Sequence, residues 1–338
     1  MPTPRGTLVR VPRHTLQAGV AALALAGALA GALAGTPSGA LRAQGAALSP
    51  AQLDGLRLRT IGPAAMSGRV VDLAVVERDP STFYVATATG GLWKTTNGGT
   101  TYAPVWQRGA VSSLGAVAVH QRDTNVVWIG TGEATNRQSS AWGDGVHRSD
   151  DGGRTWRSMG LAATRHVARV VLHPRSTDTV YVAAAGRLWG PNPERGVFRS
   201  VDGGRTWDRV LFVDDDTGVI ELQMDPSDPN TLYAASYQRR RTPYGFHGGG
   251  PGSALWRTTD AGRTWTKLTR GLPEGEYGRI GISIYRKDPR VVYVTVEQGL
   301  RYTASISYAR RLGGVFRSGD RGETWRFMGD WNPRPMYA

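Results

Sequence analysis

The chain has 338 residues, no cysteine, and 41 Lys+Arg against 27 Asp+Glu, a formal net charge of +14. Without cysteine there is neither a disulfide framework nor a thiol nucleophile, and 45 Gly with 19 Pro suit a loop-rich β protein. Only Lys94, Lys267 and Lys287 are lysines, and this arginine excess comes without a recognition helix, zinc-finger spacing or RNP-type aromatic motif, which argues against a nucleic-acid partner.

Residues 1–43 read as an export signal. Arg5, Arg10 and Arg13 form a positive start, Ala18–Gly35 is an uncharged run of small and apolar residues, and cleavage is expected after Ala43 or Ala40. The run is rich in Ala and Gly, so cleavage is preferred to a membrane anchor, with no membrane span left afterwards. The expected location is exported, periplasmic or extracellular. Residues 44–67 follow as an N-terminal segment in which Leu56–Ile61 alternates apolar and polar residues, as a ring-closing strand would.

From residue 68 to 338 the chain repeats one octapeptide five times. The copies are Thr95–Tyr102, Ser149–Trp156, Ser200–Trp207, Thr258–Trp265 and Ser318–Trp325, at starts 54, 51, 58 and 60 residues apart. A period of this size marks one supersecondary unit per copy. Each unit reads as four strands. The first are Val70–Val76, Gly115–His120, Ala168–Leu172, Val219–Met224 and Ile280–Tyr285. The second are Phe83–Thr87, Val126–Gly130, Val180–Ala184, Leu232–Ser236 and Val291–Thr295. The third run into the octapeptide, and the fourth begin at its closing aromatic. β-branched and aromatic runs bounded by turn residues fit antiparallel meanders, and four strands per unit arranged radially make a β-propeller. The expected fold is therefore all-β, with about five blades. Because the chain stops at Ala338, just past the fifth outer strand, a larger propeller is expected and a five-bladed ring is the second choice.

Within the octapeptide, Asn97, Asp151, Asp202, Asp260 and Asp320 are placed to accept backbone hydrogen bonds in a turn, and the glycine two residues on supplies a positive φ. A single carboxylate per turn is far from the six to eight oxygens that calcium takes, so neither a metal nor a cofactor is expected. The aromatics Trp156, Trp207, Trp265 and Trp325 are expected to be largely buried between sheets.

The octapeptide resembles the Asp-box, or BNR repeat, of sialidases, xyloglucanases and sortilin. With Gly90–Gly99, Gly130–Glu133, Gly143–Val146, Glu194–Arg199 and Gly271–Pro273, the chain resembles bacterial exported proteins labelled sortilin-like or glycosyl hydrolase. The resemblance implies a propeller that binds polypeptide or polysaccharide, or alternatively one that hydrolyses glycosides. Xyloglucanase-type relatives carry a catalytic Asp before the Gly-Gly of the first blade, where this chain has Ala88; the sialidase Arg-Ile-Pro phrase fails at Arg279-Ile280-Gly281.

If octapeptide turns occupy one face, the long loops occupy the other, where function concentrates on rigid scaffolds. Arg69, Arg137, Trp142, His166, Arg187, Trp189, Arg195, Arg239, Arg240, Arg241, Tyr244, His247 and Arg279 are the candidate ligand-binding residues, with Arg239–Arg241 expected as the densest positive segment. Glycoside hydrolysis needs two carboxylates at a defined separation. Glu133, Asp144, Asp215 and Glu276 are the candidates.

Overall fold

The computed structural model describes residues 69–137, 140–298 and 313–330. The expected signal, the 44–67 segment with its closing strand, and most of the long loop of the fifth unit lie outside them. Blade one comprises β1 (Val70–Val75), β2 (Phe83–Thr87), β3 (Leu92–Thr95) and β4 (Ala103–Pro104). Blade two comprises β5 (Leu114–Val119), β6 (Val127–Thr131), β7 (Val146–Ser149) and β8 (Arg157–Ser158). Blade three comprises β9 (Val167–Leu172), β10 (Val180–Ala184), β11 (Gly196–Ser200) and β12 (Asp208–Leu211). Blade four has β13 (Thr217–Met224), β14 (Leu232–Thr242), β15 (Gly245–Gly248), β16 (Ala254–Thr258) and β17 (Thr266–Leu268). Blade five has β18 (Tyr277–Ile284), β19 (Val292–Gln298), β20 (Gly314–Ser318) and β21 (Arg326–Gly329). Every blade is an antiparallel meander, and in blade four β14 runs on to pair with β15 as an extra hairpin. The fold is an all-β propeller of five blades.

The apolar core lies between blades. Ala74, Tyr84 and Ala86 of blade one meet Val117, Val127 and Ile129 of blade two. Trp128 and Val126 then meet Val167, Val180 and Val182, and the pattern repeats to the interface of blades four and five. A β-irregularity interrupts the register of the first strand in every blade, near Val71, Gly115, Ala168, Ile220 and Gly278. Such bulges increase twist and re-aim side chains. They accompany an inner polar network. Arg169 donates to Glu221 through Nε (2.9 Å) and Nη2 (3.0 Å) and reaches Asp72 at 3.9 Å, while Asp72 accepts the Val117 amide at 3.0 Å.

The octapeptide turns follow one plan. Ser200 Oγ donates to Asp202 Oδ1 (2.7 Å) and accepts from Gly204 N (2.8 Å). Asp202 then takes the Thr206 amide (3.0 Å) and hydroxyl (2.6 Å). These Thr206 bonds hold the Asp202 carboxyl well below its ordinary range. Asp151, Asp260 and Asp320 repeat the pattern, and in blade one Asn97 Oδ1 accepts from Thr101 N while its Nδ2 donates to the Thr101 hydroxyl. The closing tryptophans divide. Trp325 is buried, whereas Trp156, Trp207 and Trp265 are half-buried. Those three lie at the rim of the previous blade rather than deep between sheets; Trp156 and Trp207 donate to the Val105 and Met159 carbonyls, each at 2.7 Å.

The fourth residue of the octapeptide joins the blades. Its amide donates to its own blade's first turn, as Gly152 N does to Asn125 O (2.9 Å) and Ala261 N to Asn230 O (2.8 Å). Its carbonyl accepts from the preceding blade. Gly152 O takes Tyr84 Oη (3.1 Å) and Lys94 Nζ (3.0 Å), and Ala261 O takes Tyr181 Oη (3.1 Å) and Arg199 Nη1 (2.9 Å). Arg321 O takes Tyr233 Oη (2.9 Å) and Arg257 Nη1 (2.7 Å). At blades two and three Trp128 fills the tyrosine position, and Arg148 Nη1 alone reaches Gly203 O, at 3.4 Å. Each donor pair stands cross-strand in one register, so the sheet itself presents cation and aromatic side by side.

Aiming that carbonyl requires the left-handed region at the fourth position, with φ of 69° at Gly152 and 76° at Gly203 but also 59° at Ala261. A side chain there costs about 1 kcal/mol. Ala261→Gly is expected to raise stability by about that much in urea unfolding. Gly203→Ala should do the reverse and by more, because the added methyl would meet Arg148 Nη1 at 2.7 Å.

Candidate functional site

Antiparallel connectivity puts the second-to-third strand loops and the interblade connections on the face opposite the octapeptide turns. Trp142, Trp189, Phe212 and Tyr244 are all exposed on that face. An open cavity of about 490 Å³ lies there between blades three and four, lined by Phe212, Val213, Asp214, Asp215, Asp216 and Gln238. Its floor is shaped by local bonds. Asp214 Oδ1 accepts the Asp216 amide at 2.8 Å, the Asp215 carbonyl accepts Asn192 N at 3.0 Å, and Asp216 pairs with Arg240. Gln238 Oε1 holds the Gly252 amide at 3.0 Å, and the Arg209 guanidinium stands 3.9 Å from the Phe212 ring centre. Aromatic, carboxylate and amide groups thus share one wall. The arrangement offers a ring face for an apolar surface and acceptors for hydroxyl or ammonium donors.

The candidate carboxylates are not gathered into one cleft. Glu133 is fully buried and takes Arg69 Nη2 at 2.7 and 2.9 Å, with the Thr135 hydroxyl also bonded to it. Asp144 bonds His147 Nε2 (2.9 Å) and Thr131 Oγ1 (3.0 Å). Asp215 is exposed in the cavity wall, and Glu276 is exposed beside β18. Ala88, at the position where xyloglucanase-type relatives carry an acid, is fully buried with its amide on the Arg69 carbonyl (2.9 Å).

The arginines separate into structural and surface groups. Arg195 is fully buried and donates to the carbonyls of Ala185 (2.6 Å), Arg187 (2.7 Å) and Gly190 (3.1 Å). Burial pushes its pKa down to about 10. The Arg239–Arg241 run is strand rather than loop, because β14 continues to Thr242, and successive side chains leave it in different directions. Arg239 is buried and donates to Ala134 O (2.8 Å), with its pKa also pushed down to about 10, chiefly by burial. Arg240 turns to Asp216, and Arg241 lies 4.7 Å from the Phe246 ring centre. They do not form one positive patch. Arg279 is half-buried, with burial lowering its pKa and its amide on Glu297 Oε2 at 3.1 Å. Arg187 and His247 are exposed, Arg137 is half-buried, and Trp142 carries the Arg165 guanidinium 5.3 Å from its ring centre. Among the described residues, no group of three or more His, Asp or Glu is placed to hold a metal.

Phe212 and Val213 escaped the sequence reading. The signal was an apolar pair directly before three aspartates, at the end of an outer strand whose own core residue is Leu211.

Comparison with known proteins gives the same architecture. A family profile described as "Sortilin, neurotensin receptor 3" matches residues 144–309. The chain is a sortilin-like β-propeller. The xyloglucanase Xgh74A of Acetivibrio thermocellus is 27% identical over 204 residues, covering 54% of this chain and 23% of that protein. A Paenibacillus xyloglucanase is 26% identical over 168 residues, covering 45% of this chain and 15% of its own length. Among solved structures, an ancestral GH74 enzyme superposes with a TM-score of 0.57 at 20% identity, over 80% of this chain and 32% of that one. The Niastella koreensis GH74 enzyme gives 0.54 at 20% identity, over 76% and 38%. The propeller therefore spans a quarter or less of the curated relatives it matches. Among the described residues no helix is long and apolar enough to cross a membrane.

His166 supplies a pH test of this face. It is fully buried, and its pKa is pushed down to about 3, first by burial and then by the Arg239 charge, against an opposing contact from the Glu133 backbone. Between that value and the ordinary 6.5, the unfolded chain binds the proton and the folded chain does not. The contribution is therefore complete above pH 6.5 and is lost as pH falls, at up to about 1.4 kcal/mol per unit. His166→Gln should flatten the fall in unfolding free energy between pH 6.5 and 5 by about one proton. An unchanged slope would place the ring in water.

Proposed function

We propose that this chain is an exported polysaccharide-binding propeller. Its loop-rich face takes a neutral glycan through the cavity between blades three and four. The single observation that carries the reading is the cavity wall, with Phe212 facing the same space as Asp214, Asp215, Asp216 and Gln238. Sugars present both apolar ring faces and hydroxyl donors, which an aromatic plus carboxylates and an amide complement. The similarity to proteins named xyloglucanases supports a glycan over a polypeptide ligand. The acidic rather than basic wall likewise disfavours anionic polymers. Export is supported by the arginine-led, uncharged N-terminal run.

Binding is preferred to hydrolysis for a structural reason. Ala88 stands buried where such relatives carry an acid, and Glu133 and Asp144 are held by their partners. The test is calorimetry of the full chain with xyloglucan oligosaccharides. Phe212→Ala should weaken binding about tenfold, as loss of one aromatic contact worth roughly 1–1.5 kcal/mol. Binding that survives Phe212→Ala unchanged would remove the cavity from the site. Sugar release abolished by Asp215→Asn would establish a glycosidase instead.

A further inference from the structure

The interblade contact described above has two halves, and the chain carries an unused half at each end of its blade series. On the donor side, Tyr293 and Arg317 face each other across β19 and β20, in the register that Tyr84 shares with Lys94, Tyr181 with Arg199 and Tyr233 with Arg257. Tyr84, Tyr181 and Tyr233 are at most 1% exposed under the turn of the following blade, whereas Tyr293 is 39% exposed. On the acceptor side, the Gly98 amide is already tied to Ser81 O at 2.9 Å and Gly98 adopts φ 67°, the conformation that aims its carbonyl outwards in the other blades. Among the described residues no cation or phenol donates to that carbonyl. Beside it, Leu73 and Val75 are 55% and 40% exposed, where their counterparts Val117 and Val119 are buried against blade one. Tyr102, the closing aromatic of that turn, is also exposed.

We propose that blade five of one copy takes blade one of a second copy, head to tail, through Tyr293 and Arg317 on one side and the Gly98 turn with Leu73 and Val75 on the other. The partner is a second copy because the required surface is specific. It is an octapeptide turn with its fourth residue left-handed and its carbonyl free, next to an apolar first strand, and blade one presents that whole set. Closure within one chain is the competing arrangement. Blades one and five do meet through Arg286 and Glu77 at 2.6 Å, but both side chains are largely exposed and the pair leaves Tyr293 and Leu73 uncovered. The contact is heterologous, so it adds copies rather than stopping at a symmetric dimer.

The experiment is light scattering after gel filtration of the full chain and two variants. The donor variant is Tyr293→Ser with Arg317→Ser, and the acceptor variant is Leu73→Glu with Val75→Glu. All four positions are at the surface, and retained far-UV spectra and cooperative melts confirm that each variant folds. Wild type should grow in mass with concentration, through dimers to longer chains. Each variant alone should stay monomeric, and an equimolar mixture should form a heterodimer and grow no further, since each partner caps the other. A wild-type monomer up to about 100 µM, weaker than specific interfaces normally allow, would overturn the proposal. So would variants that still self-associate, or a mixture that stays monomeric.

Discussion

One backbone carbonyl per repeat governs how this protein is assembled. In each octapeptide the fourth residue is turned into the left-handed region, its amide is bound to its own blade, and its carbonyl receives a cation and, in three of the four described junctions, a tyrosine from the blade before. A carbonyl between sheets would be costly if left dry and unpaired, and hydrogen bonds from charged donors are worth about 1.5–3 kcal/mol. The apolar surfaces between blades can slide in principle; a fixed acceptor met by two donors cannot. The aspartate of the octapeptide therefore acts indirectly. It holds the turn whose next residue makes the junction, and its exposure to solvent is consistent with that work.

The same rigidity explains why the opposite face can be irregular. With the blades registered at their turn side, the loops between second and third strands are free to differ in length and chemistry. Blade two sends Ala134 and Asn136 across to Arg239 and Tyr237 of blade four, the latter at 2.9 Å. Burial raises the Tyr237 phenol to about 12 and lowers the Arg239 guanidinium, so this central packing is neutralised rather than reactive. Chemistry accessible to a ligand is displaced outwards, to the rim between blades three and four, where Asp214–Asp216 and Phe212 stay open.

Much of this was legible in the amino-acid sequence, and the reasons are physical. The octapeptide marks third and fourth strands, and β-branched runs locate second strands to the residue in Phe83–Thr87 and Val180–Ala184. First strands were read too short at Thr217 and Tyr277, because bulges break the alternation that defines a strand. The junctions were invisible because one partner is a main-chain carbonyl, which leaves no residue-type signal some 58 positions away. The Arg239–Arg241 run misled for a related reason. Three like charges in a row suggest one patch, yet a strand with a period of two sends one into the core, one to Asp216 and one onto Phe246. Glu133 reads as a loop acid in sequence, and only its burial against Arg69 shows it to be structural.

The account stands on the junctions, and the junction of blades three and four isolates one. Replacing Tyr181 with Phe and Arg199 with Met removes both donors to the Ala261 carbonyl while keeping most apolar bulk. Native-state hydrogen exchange should then show the amides of β16, β17 and the Ala261 turn opening at least about 2 kcal/mol more easily, with blades one and two unchanged. Exchange in the double variant that matches wild type at that turn would mean that apolar packing alone aligns the blades, and would contradict the central claim.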